Sequence, residues 1–228
     1  VISDECNFVS ERDPMSMERK DFDKEAASWD EKPERVRLAN DIADAIRSEI
    51  TLTLDMNVLD FGCGTGLVTL RLQPFVGSIT GADSSQGMLN ILSAKIAQQN
   101  IANVRTLYVD PERNETLPGP YHLIVSSMTF HHVKDIHSLV AHYYRSIAPE
   151  GYLAIADLDS EGGMFHGSNE GVFHPGFERE VLRRVFTEAG FREVRDSTAA
   201  EIVKPDCTGA IRRFSVFLMT GRKIDRHP

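Results

Sequence analysis

Residues Val58 to Gly66 read Val-Leu-Asp-Phe-Gly-Cys-Gly-Thr-Gly: a short apolar run, an acid, then glycines at alternate positions 62, 64 and 66. The pattern predicts a buried strand that runs into a tight turn and opens a helix at Leu67. Glycine at these places permits backbone conformations closed to other residues and leaves no Cβ to block a ligand lying on the turn. A nucleotide-like ligand is the expectation. A dinucleotide fingerprint would need its third glycine at position 67, where Leu67 stands, so the spacing speaks against NAD.

A second strand, Ser78 to Ala82, ends in Asp83, whose carboxylate is placed to accept hydrogen bonds from both hydroxyls of a ribose. Together with Gly81-Ala82-Asp83-Ser84-Ser85-Gln86-Gly87-Met88-Leu89, the glycine stretch resembles the class I S-adenosylmethionine-dependent methyltransferases, in particular their small-molecule type 11 branch. The likeness runs from Val58 to Leu158. It implies S-adenosylmethionine as cofactor, held by Asp60, Gly62, Gly64, Gly66, Asp83, Ser84, Met88 and Ser126. It also implies an adenine contact from Asp110, or from a neighbouring backbone N–H because Pro111 follows directly.

Strand and helix patterns alternate five times along the chain, and strand-like segments at Arg192–Asp196 and Phe214–Thr220 close it. That order predicts an α/β, doubly wound sheet with helices on both faces and ligands at the carboxyl ends of its strands. The resemblance refines this to a Rossmann-like sheet of seven strands whose last strand is antiparallel. Leu38, Ile42, Ile46 and Ile50 form the stripe of a helix after Pro33. Residues 1–35 are read as an N-terminal arm and lid segment, and 36–228 as the methyltransferase domain. Phe22 and Trp29 are the lid aromatics, with simple core packing as the alternative.

Residues 126–132, Ser-Ser-Met-Thr-Phe-His-His, follow the fourth strand, and Glu161 to Phe177 is a long aperiodic segment rich in glycine and histidine. His131 and His132 are the candidate bases for an acceptor that carries a proton. With Phe22, Trp29, His166 and His174 they make the expected substrate pocket. The segment 161–177 is expected to fold over the acceptor side and to be mobile without ligand, the alternative being a surface connection. The histidines lack metal-ligand spacing, so no metal is expected.

The net charge of −9, with cations spread thinly, disfavours nucleic acid and anionic membranes as partners. No Asn-Pro-Pro-Tyr or Asp-Pro-Pro-Tyr stretch follows the fourth strand, which disfavours nucleobase amines as acceptors. Cys6, Cys63 and Cys207 show no metal or disulfide framework, pointing to a reducing, cytoplasmic setting. The expected activity is methyl transfer to a small molecule through O, N, S or C, possible assembly as a homodimer being left open. The alternative is a non-catalytic S-adenosylmethionine-binding protein or partner subunit.

Overall fold

A computed structural model describes residues 21–109, 117–166 and 169–224. Strands β1 (Asn57–Phe61), β2 (Ser78–Asp83), β3 (Val104–Tyr108), β4 (Tyr121–Ser127), β5 (Ile147–Leu158), β6 (Arg192–Pro205) and β7 (Ile211–Arg222) form one sheet in the order β3-β2-β1-β4-β5-β7-β6. Every pairing from β3 to β5 is parallel, and β7 lies antiparallel between β5 and β6. The seven-stranded doubly wound sheet and its antiparallel last strand are as expected.

Side-chain parity explains why both faces are covered. Along β1, Leu59 and Phe61 enter one apolar cluster while Val58 enters another; along β7, Phe217 and Met219 divide from Val216 and Leu218 in the same way. Successive strand residues point to opposite faces, so a run with no polar alternation must be buried on both. Helices α4 (Ile136–Ser146) and α5 (Arg179–Ala189) cover the first face through Leu139, Val140, Leu182 and Phe186. Helices α1 (Pro33–Glu49) and α2 (Leu67–Leu72) cover the second through Ile42, Ile46, Val68 and Leu72. Helix α3 (Gln86–Gln98) starts under a Ser85 cap, whose hydroxyl accepts from Met88 N at 3.1 Å, and packs Leu89 and Leu92 on Cys63.

The closing hairpin departs from expectation in length. β6 runs 14 residues and β7 runs 12, well past the segments that look strand-like in sequence. Their outer halves alternate charged residues with Ala200, Ile202, Phe214 and Val216, which pack on the α1 cluster with Ile42 and Ile46. That packing, together with the antiparallel pairing of β6 and β7 out to Pro205 and Ile211, makes the polar-rich stretch a strand.

Cys63 is a buried free thiol, whereas Cys207 is disulfide-bonded, so the expectation of unpaired cysteines fails at Cys207 and their use as a compartment argument goes with it. Among the described residues no helix is long and apolar enough to cross a membrane.

Candidate active site

The strand order reverses between β1 and β4, and a cavity of about 480 Å³ opens at the carboxyl ends of these strands. The turn after β1 is pinned to β2 by Gly62 N and Cys63 N, which donate to Ala82 O at 2.7 and 3.1 Å. Gly62, Gly64 and Gly66 all have positive φ, at 73°, 53° and 82°. Their surroundings separate them. A Cβ at Gly62 would lie 2.2 Å from Thr129 Oγ1 and one at Gly66 2.3 Å from Leu92 Cδ1, whereas at Gly64 the nearest atom is Met88 Sδ at 3.9 Å. The protein's own packing therefore demands the outer two glycines, and Gly64 alone is bare toward open space. Gly66 does not line the cavity; its place is the left-handed N-cap of α2.

Two carboxylates face the cavity from the ends of β1 and β2. Asp83 accepts from Gly64 N and Ser85 N, each at 2.8 Å, and so fixes the glycine turn against its own loop. Asp60 is 1% exposed; its Oδ2 accepts from Thr69 Oγ1 at 2.6 Å, and its Oδ1 has no hydrogen-bond partner among the described residues. Burial, together with the nearby Asp83 charge, pushes the Asp60 carboxyl up to about 7 despite the Thr69 bond. A buried acceptor left open in this way fits a cationic ligand group.

Ser84 and Met88 also line the cavity. Ser126 does not: its hydroxyl donates to Phe61 O at 2.9 Å inside the sheet, and Ser127 takes the place at the wall. The two are neighbours on a strand, so only one can face the ligand. Asp110 lies outside the described residues.

Residues 21–32 run beside the cavity, which Phe22, Trp29 and Lys32 line. Asp23 accepts from Ser85 Oγ at 2.5 Å and Gly87 N at 2.8 Å at the start of α3, and these bonds hold its carboxyl below the ordinary range. Asp30 accepts from Thr65 Oγ1 at 2.6 Å and pairs with Lys95. Between these latches Phe22 meets Trp29 and His132 edge-on, with ring centroids 6.0 and 5.2 Å away, and the Arg35 guanidinium stacks 3.5 Å from the Trp29 ring centroid. Phe22 and Trp29 both line the cavity.

The opposite wall is built on His131, His132 and His166, whose ring centroids lie 4.1 to 5.8 Å apart. His131 is 2% exposed, and its Nδ1 sits 2.7 Å from Asp157 Oδ1 on β5. Burial works to raise the Asp157 carboxyl, but electrostatic attraction to the His131 ring and its hydrogen bond, with backbone donors from Leu158 and His131, outweigh it and hold the acid low. An ionised carboxylate only accepts, so Nδ1 carries the proton and Nε2 is the nitrogen left without one, in a residue that lines the cavity. Asp157 was not foreseen from sequence, where it reads as one more residue of a strand.

His132 Nδ1 meets Gly171 O at 2.7 Å, and Phe173 N and His174 N donate to His131 O, which draws the segment 161–177 over this wall. His166 and Phe165 line the cavity, whereas His174 does not. Its Nε2 lies 2.9 Å from Val133 O, and its ring packs on Phe177. Among the described residues no trio of His, Cys, Asp or Glu is placed to hold a metal ion.

The pattern of the methyltransferase domain matches residues 35–195. The chain belongs to the methyltransferase-domain family. Its members use S-adenosylmethionine as methyl donor, and the bare Gly64, the open Asp60 Oδ1 and the Asp83 carboxylate fit that donor in this methyltransferase domain. A Schizosaccharomyces pombe protein named as a methyltransferase is 33% identical over 149 residues, covering 59% of this chain and 52% of its own length. The malonyl-[acyl-carrier protein] O-methyltransferase of Bacillus anthracis is 25% identical over 146 residues, covering 63% and 53%. The chain thus spans about half the length of the curated relatives it matches. The fold matches the crystal structure of an S-adenosylmethionine-dependent methyltransferase from Aquifex aeolicus with a TM-score of 0.65, 21% identity and coverage of 89% and 98%.

Proposed function

We propose that this domain transfers a methyl group from S-adenosylmethionine to a small-molecule acceptor, with His131 taking the acceptor's proton. The observation that carries the reading is one cavity with two chemically different walls: Asp60 Oδ1, Gly64 and Asp83 on one side, the His131–Asp157 pair on the other. When bound, the donor supplies a methyl group on a positively charged sulfur. Asp60 takes up a charged amino group, Asp83 accepts from ribose hydroxyls, and Gly64 allows close approach of the backbone.

Asp157 holds the His131 ring in the tautomer whose Nε2 accepts a proton, and Phe22 and Trp29 keep water from the acceptor side. A buried, oriented imidazole is more than binding alone requires, which favours transfer over a purely binding role. The name of the Bacillus anthracis relative, malonyl-[acyl-carrier protein] O-methyltransferase, agrees with a non-nucleic-acid acceptor.

Calorimetry with S-adenosylhomocysteine tests the cofactor side. Binding is expected for the native chain and is expected to weaken on Asp83→Ala, since a hydrogen bond to a charged group is worth about 1.5–3 kcal/mol. Incubation with labelled donor and a metabolite extract tests transfer. Tight binding with no labelled product from any extract would leave the binding role standing and remove the transferase.

A further inference from the structure

The cavity has a cationic end that neither the donor nor the proposed base uses. β6 stands five strands from β2 in the sheet, so Lys204 near its end is at the far side of the cavity from Asp83. Its ammonium donates to Phe165 O and lies 3.7 Å from the Phe165 ring centroid. Lys32, the N-cap residue of α1, lines the same cavity and acts on Lys204 by like-charge repulsion. A cation at a helix N-terminus also opposes the helix dipole.

Among the described residues no ion pair reaches either ammonium. Glu161 attracts Lys204 from a distance, and its Oε2 is engaged by Phe165 N at 2.6 Å. Lys204 is half-buried and Lys32 exposed, and both line the cavity of a chain whose net charge is −9, so the two ammoniums offer a local positive field to an anionic group entering there.

Lys204, Phe165, His166 and His131 follow one another in contact: the Phe165 and His166 centroids are 4.9 Å apart, and those of His166 and His131 5.1 Å. We propose that Lys204 and Lys32 form an anion subsite, so that the acceptor is a small, aromatic or apolar-bodied molecule with a carboxylate or phosphate at one end and the methylated atom toward His131. The anion rests between the two ammoniums, the body lies against Phe165, and the acceptor atom reaches Nε2. This rests on the transferase reading above.

The test begins with S-adenosylhomocysteine bound to the native chain and to Lys204→Met, followed by titration of benzoate and neutral benzamide. The subsite predicts that benzoate binds at least about tenfold more tightly than benzamide, about 1.4 kcal/mol. The preference is expected to vanish in Lys204→Met, return in Lys204→Arg, and leave the affinity for S-adenosylhomocysteine within about twofold. Phenyl phosphate in place of benzoate distinguishes the two anions. In the turnover arm, a metabolite extract is split by anion exchange, and label from the methyl donor is expected in products of the retained fraction. Equal binding of benzoate and benzamide, binding of neither, or label arising from the unretained fraction in native and Lys204→Met protein alike overturns the subsite. Loss of S-adenosylhomocysteine binding by the native chain would instead sink the transferase reading.

Discussion

Asp157 Oδ1 lies 2.7 Å from His131 Nδ1, and both side chains are sealed from solvent, at 0% and 2% exposure. The pair is brought together by the parallel register of β4 on β5, where Ser127 faces Ala156 and Met128 N donates to Ala156 O at 2.8 Å. Asp157→Asn replaces an obligate acceptor with a group that can donate to Nδ1, which moves the ring proton to Nε2 and blocks proton uptake from the acceptor. General bases contribute about 10²- to 10⁴-fold, so transfer is expected to fall roughly 100-fold with S-adenosylhomocysteine affinity unchanged. Single-turnover kinetics beside calorimetry makes the measurement. Unchanged transfer would reduce the pair to a structural one.

Asp60 gives the protein a pH dependence of known sign. Its carboxyl titrates at about 7 in the fold and at 3.8 when unperturbed, so the folded state holds the proton between these values. A raised acid contributes stability below the unfolded value that is lost as pH rises through the folded one. Without ligand, the chain is expected to lose on the order of 4 kcal/mol from this group between about pH 4 and 8, and Asp60→Asn to remove most of that loss. Thermal melts at several pH values read it directly. Affinity for S-adenosylhomocysteine is expected to move the opposite way, rising with pH in the native chain and flat in Asp60→Asn.

Gly64 and Gly66 look alike in sequence and are expected to fail differently. Gly66→Arg drives a side chain into Leu92 and is expected to destabilise the fold more than Gly64→Arg does, since overpacking costs about 1–3 kcal/mol before the positive φ is counted. Gly64→Arg meets open space, so the fold is expected to survive with a loss of about 1–2 kcal/mol from its backbone conformation. Cofactor binding is expected to be abolished. Circular dichroism melts and calorimetry on the two variants separate these outcomes.

The latch formed by Asp23 on Ser85 and Gly87 is exposed, so its bonds are worth little to overall stability. Its effect is expected in ligand exchange. Asp23→Ala is predicted to leave the melting temperature within about 1 °C, far less than a 1 kcal/mol change would produce, while speeding S-adenosylhomocysteine release several-fold. Stopped-flow displacement, with Trp29 fluorescence as signal, measures the rate. An unaltered release rate would mean that residues 21–32 do not gate the cavity.

The sequence by itself determined the elements whose cause is local. Apolar runs ending in Asp60 and Asp83, the glycine turn, and the stripes of α1, α4 and α5 are set by neighbouring residues and a fixed side-chain period, and they stand where their patterns placed them. Tertiary structure decided whatever depends on which strands pair and in what register. Ser126 and Ser127 cannot be told apart until β1 is known to lie beside β4, and then only Ser127 faces the cavity. His174, read as a pocket residue, is turned to Val133 because the segment 161–177 is anchored on His131 O. Asp157 and Lys204 carried no motif; they stand at this site because β5 pairs with β4 and the β6–β7 hairpin packs on α1. Contacts across such separations are held by burial and strand pairing summed over the whole domain, and no window of neighbouring residues contains that sum.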